Sequence, residues 1–182
     1  VKRQSFRHAF GAVALGALLA APAMAHPGHG DHAGFIGGLI HPFTGLDHLA
    51  AMLMSGIWAA QLPIKAKWRG PATFVAAMIA GFGIAQTGAA FAAEFVVAAS
   101  LIGFPLLIVL ARRMPLLPQF GCVALFAFAH GFAHGQESGA TIGSFFAGMV
   151  LATAVLHIAG LALGRALPAS RARSADPRLR GQ

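Results

Sequence analysis

The sequence predicts an all-α, polytopic transmembrane helical bundle of about five spans, with the mature N-terminus outside and the C-terminus inside. Three observations predict it. The chain is 57% hydrophobic and 10% charged, with a mean hydropathy of +0.72, far more apolar than a water-soluble domain needs. Apolar stretches long enough to cross a bilayer, which takes about 20 residues, recur along it. The basic residues are missing from those stretches and gather in short clusters between and beyond them. A net charge of +8 distributed in this way reads as membrane topology, and no nucleic-acid partner is expected.

Lys2, Arg3 and Arg7 precede the short apolar run "AFGAVALGALLAAP", and "AMA" at 23–25 fits the small-residue cleavage rule. Residues 1–25 are therefore read as a signal peptide; the alternative is an uncleaved anchor helix. Cleavage leaves residues 26–40 as an exported His-rich segment carrying His26, His29 and His32. The transmembrane domain, 41–165, is divided into spans at 42–62, 70–88, 91–111, 116–135 and 139–163. Residues 166–182 form a basic cytoplasmic tail, which touches anionic lipid and anchors the topology.

Charge checks this division. Ten Lys and Arg remain after cleavage: Lys65, Lys67 and Arg69 follow the first span, Arg112 and Arg113 follow the third, and Arg165, Arg171, Arg173, Arg178 and Arg180 follow the fifth. The loops near 89 and 136–138 contain none, so every connection obeys the positive-inside rule. Dense Gly and Ala, as in "AAMIAGFGIAQTGAAFAAE", allow close helix approach where lipid gives no hydrophobic drive. The single Cys122 excludes an internal disulfide and any CxxC site, and reads as a packing thiol.

The chemistry lies in two short motifs. In "FAHGFAHGQE", His130, His134 and Glu137 share one helical face, with Gly131 and Gly135 leaving space beside them. Two imidazoles and a carboxylate suit a borderline divalent cation such as nickel, cobalt, zinc or copper(II). In "HPFTGLDH", Pro42 is expected to open the first span, with His41 just outside its first turn and Asp47 and His48 further in. His41 and His48 stand about 10 Å apart on a continuous helix, too far to share an ion, unless Gly45 breaks the helix and brings them together. Asp47 either ligates or orients His41 or His48 through a ring nitrogen. Glu94, at the outer start of the third span, is an accessory candidate with His26 and His29. Ionisable residues at membrane depth cost roughly 2.5–3.5 kcal/mol each and usually mark an ion path. His157 alone reads better as a hydrogen-bonding packing residue. The methionines form no MxxxM ladder, against a dedicated copper(I) path.

The pair "HPFTGLDHLAAMLMSGIWAAQL" and "HGFAHGQE" resembles the HupE/UreJ family of bacterial nickel and cobalt permeases. The likeness covers the leader, the mature start at "HPGHG", His41, Asp47 and His48, and then His130, Gly131, His134, Gly135 and Glu137. One departure is Ala129, where the family commonly carries Phe directly before the first His. The resemblance implies an inner-membrane, multi-pass secondary permease that takes up Ni2+, or Co2+, for hydrogenase or urease maturation. The metal is then cargo, with no permanently bound cofactor, and the protein is not an enzyme. No nucleotide-binding motif appears. The rival readings are a membrane-embedded metal- or haem-binding redox protein, a metal hydrolase, or a metal sensor.

Overall fold

A computed structural model describes residues 34–137 and 142–166. Its elements are α1 (Phe35–Thr44), α2 (Leu46–Ala60), a 3-10 turn (Ile64–Ala66), α3 (Arg69–Ala85), α4 (Ala93–Leu110), α5 (Leu116–Glu137) and α6 (Ile142–Ala166). No strand occurs among the described residues. Three helices are long and apolar enough to cross a membrane: Ala93–Leu110, Leu116–Gln136 and Ile142–Ala166. The proposed leader, the exported histidines His26, His29 and His32, and the basic tail from 167 onward lie outside the described residues.

The first expected span is corrected. Pro42 does not open a helix; it lies inside α1, which begins at Phe35, and His41 occupies the last turn of that helix. Residues 35–40, grouped with the polar exported segment, are thus helical. Lipid-buried helices tolerate an internal proline where neighbouring helices compensate the lost hydrogen bond. The break falls at Gly45, whose backbone is extended (φ −90°, ψ 113°), and α2 restarts at Leu46. That φ suits any residue, so glycine is needed here for space. A Cβ would lie 2.8 Å from His48 Cδ2 and 2.9 Å from Asp47 Oδ1.

Close backbone contacts set the packing. The broken α1–α2 pair lies along the continuous α6. Gly38 of α1 meets the Phe145 carbonyl, and Gly56 of α2 meets the backbone at His157 and Gly160. On the other side α3 packs on α5, where Gly131 abuts the Met78 backbone and Gly81 the Phe128 backbone. Such small-residue contacts let helices approach closely and gain dispersion energy. Trp58, Phe74, Phe104, Met52, Met78 and Met149 fill the core between the two groups. At one end the buried Trp58 Nε1–H donates to Gln119 Oε1 (2.8 Å), and Gln119 Nε2 donates to the carbonyls of Met114 (2.7 Å) and Ala111 (3.1 Å). These bonds tie α2 to the α4–α5 connection. The histidines occupy the opposite end of α2. Phe95 and Leu117, at 80% and 83% exposure, point outward, as lipid-facing residues do.

Candidate metal centre

The break at Gly45 decides the site. It turns the end of α1 against the start of α2, and a separation of about 10 Å along a straight helix becomes a ring-centroid distance of 5.5 Å between His41 and His48. From α5, His134 reaches both, at 4.8 Å from the His41 ring and 4.3 Å from the His48 ring. One donor nitrogen from each of His41, His48 and His134 falls within a group no wider than 4.8 Å. Donors around one ion at metal–nitrogen distances of ~2.1 Å stand ~3.4 Å apart in tetrahedral geometry. Bringing the three nitrogens onto one ion therefore requires the imidazoles to rotate inward. His134 is wholly buried and His41 is partly exposed, so the group lies nearest the surface at His41.

His130 stands one turn before His134 and 5.3 Å from the His48 ring. Its Nδ1–H donates to the Phe126 carbonyl at 2.7 Å, since a carbonyl only accepts. The neutral ring then carries its lone pair on Nε2, which is sealed from solvent and makes no hydrogen bond among the described residues. A backbone carbonyl that fixes the tautomer and leaves the other nitrogen open is the usual support of a histidine ligand. His48 Nδ1 is likewise buried with no hydrogen-bond partner among the described residues. Nitrogen donors of this kind are what a borderline transition-metal ion selects. Phe145 walls His41 at 5.7 Å, and Phe74 stands 6.2 Å from His130.

Asp47 Oδ1 accepts the backbone N–H of His48 at 2.9 Å, a bond that braces the first turn of α2. A carboxylate there also meets the positive end of the helix dipole. Glu94 is exposed in the first turn of α4, outside the histidine group. Glu137 is the last residue of α5, and its side chain lies outside the described structure. The glycines of "HGFAHG" leave no space beside the histidines: Gly131 is filled by the Met78 backbone, and Gly135 faces Ala85 and the Phe82 carbonyl. They press α5 onto α3, and Gln86 Nε2 reinforces the contact by donating to the Gly135 carbonyl at 2.8 Å. Ala129 is wholly buried in a cluster with Ala93, Val97 and Phe132, where α4 joins α5. Cys122 packs, half-buried, against the main core.

His157 is a packing residue by its bonds. Nδ1–H donates to the Thr153 carbonyl at 2.8 Å, and Nε2 accepts from the Ser55 hydroxyl at 3.2 Å, the two bonds a neutral imidazole makes. Sequence reasoning missed Phe74, whose ring lies 4.5 Å from His157 on one side and 6.2 Å from His130 on the other. It also missed the meeting of Met52 and Met78 at Thr153. No periodic pattern marks residues brought together from three separate helices.

No solved structure matches the chain. Protein HupE of Rhizobium leguminosarum bv. viciae is 38% identical over 153 residues, covering 81% of this chain and 79% of that protein. The family described as HupE / UreJ protein matches residues 13–181. With a match over nearly its whole length, the chain belongs to the HupE/UreJ family.

Proposed function

We propose that this protein is a cytoplasmic-membrane permease that takes up nickel, or cobalt, by passing the ion through the histidine centre. The observation that carries the reading is the convergence of His41, His48 and His134, drawn from both sides of a helix break and from a facing helix. Broken helices at a binding site are a recurrent device of secondary transporters. In this reading the break pair α1–α2 and the helices α3 to α6 make five crossings, with the α1–α2 end outside. The exported histidines His26 and His29 raise the local metal concentration, and His41 receives the ion. His48, His134, His130, Asp47 and Glu137 replace its water shell, with Glu94 at the approach. The ion is cargo, and no resident cofactor or catalytic step is required. A potential of 100 mV favours entry of a divalent ion by about 4.6 kcal/mol, so ATP is unnecessary. Delivery to hydrogenase or urease maturation follows from the family.

A redox role with haem is disfavoured by spacing. Two axial imidazoles place their centroids roughly 6 Å apart with the macrocycle between them, and the His48 ring has its three imidazole neighbours at 4.3–5.5 Å.

The test is initial uptake of radioactive nickel at submicromolar concentration into cells expressing the intact chain or His48→Ala, at matched membrane levels. Saturable uptake that falls at least 100-fold in the variant is expected. Uptake should also decline as the external pH drops from 7 to 5, because protons occupy the nitrogens the metal needs. An intact chain that binds nickel tightly yet moves none would favour a sensor.

A further inference from the structure

Beneath the histidines the core contains a polar junction that packing alone does not require. Met52, Met78 and Thr153 are each 0% exposed and come from α2, α3 and α6. The Thr153 hydroxyl lies 3.5 Å from Met52 Sδ and 3.8 Å from Met78 Sδ. A buried threonine in a helix ordinarily returns its hydroxyl proton to a carbonyl of the preceding turn. Here it is aimed at two thioethers, which are weak acceptors. Two sulfurs and one hydroxyl oxygen, all neutral lone-pair donors, thus face one point inside an otherwise hydrocarbon layer.

The place of this junction gives it meaning. Met52 is four residues past His48 on α2, one turn further from the break and on the same helical face. Met78 reaches the junction from α3, and its backbone abuts Gly131, the neighbour of His130. Four residues beyond Thr153 on α6 stands His157, with both ring nitrogens engaged. An ion leaving the histidines along α2 therefore meets the two sulfurs before the closed layer of Phe74, His157 and Ser55.

We infer that Met52, Met78 and Thr153 form a second stopping point for the transported cation, one helical turn below the histidine centre. The inference rests on the permease reading and adds the inward step to it. Thioethers favour soft and borderline ions over magnesium or calcium, which keeps the inner step selective. They are also uncharged and bind a divalent ion more weakly than imidazole, and conduction needs sites that hold an ion loosely enough to release it.

Two measurements on the full-length protein test this. Met52→Leu/Met78→Leu conserves core volume, a change that cores tolerate well. In lipid vesicles the double variant should keep its nickel Kd within twofold, which reports an intact histidine centre and fold. Its initial nickel uptake at saturating metal should fall at least tenfold. In selenomethionine-labelled protein titrated with silver(I) as a soft probe, selenium X-ray absorption should show a selenium–silver neighbour that disappears in the double variant. Nickel uptake within twofold of the intact chain, or no selenium–silver neighbour dependent on these two residues, overturns the assignment. An intact chain that moves no nickel into vesicles overturns the permease reading and the stopping point with it, a result distinct from a defect confined to the variant.

Discussion

His130 and His157 are the same residue in nearly the same local geometry, and they meet different surroundings. Each is buried in a helix and donates Nδ1–H to the carbonyl four residues earlier, at 2.7 Å for His130 and 2.8 Å for His157. The difference is what faces Nε2. His157 finds the Ser55 hydroxyl across the α2–α6 contact, and its hydrogen bonding is complete. His130 looks toward His48 across the gap made by the helix break, and its Nε2 has no hydrogen-bond partner among the described residues. An unpartnered buried nitrogen costs about 1–3 kcal/mol, a penalty that metal binding at His130 would offset. Burial alone does not distinguish the two histidines; what faces Nε2 does.

The largest expected effect breaks this comparison directly. His130→Ala should weaken nickel binding on the order of 100-fold, since even supporting groups around a metal contribute 10–100-fold, while the unfolding midpoint of the purified protein barely moves. His157→Ala should do the reverse. It removes a packed ring and strands the Ser55 hydroxyl, so stability should drop by about 2–3 kcal/mol, with nickel affinity held within about twofold. Titration calorimetry and thermal unfolding on both variants check the pair. Similar affinity losses in the two would show that the partner on Nε2 does not assign the roles.

Next in size is the helix break itself. Gly45→Ala puts a Cβ 2.8 Å from the His48 ring and 2.9 Å from Asp47 Oδ1, so the ring must shift from its place beside His41 and His134. The loss in nickel affinity should be roughly tenfold, the scale of removing one orienting contact. Affinity equal to that of the intact chain would mean that the fold over Gly45 does not set the ligand geometry.

This position also marks the boundary of what the sequence could tell. The repeated His-Gly word and the H-x5-D-H spacing single out His41, His48, His130 and His134 as candidates, because helical period and ionisable residues within apolar stretches are visible locally. The start of the first helix is not legible in this way, because Pro42 has the residue type favoured at a helix N-terminus in water. In the structure it sits near the end of α1, three residues before the break. The roles of Gly131 and Asp47 depend on what stands opposite, the Met78 backbone and the His48 amide, and composition does not reveal an opposite partner. Met52, Met78 and Thr153 meet only because three helices share one register.

The smallest effect sharpens the comparison most. Ser55→Ala removes the acceptor-side partner of His157 and leaves Nε2 as exposed to need as that of His130, at a cost of ~1 kcal/mol in stability. It creates no second nitrogen nearby, because the neighbouring ring is Phe74 at 4.5 Å, whereas His130 has His48 at 5.3 Å. Nickel stoichiometry should therefore stay unchanged, and uptake should remain within about twofold of the intact chain. A gain of one bound ion would show that an unpartnered nitrogen is enough for a ligand here. An unchanged count, beside the loss in His130→Ala, would locate the requirement in the neighbouring donor: a histidine in this bundle ligates metal when a second imidazole stands within one ring's reach of its open nitrogen.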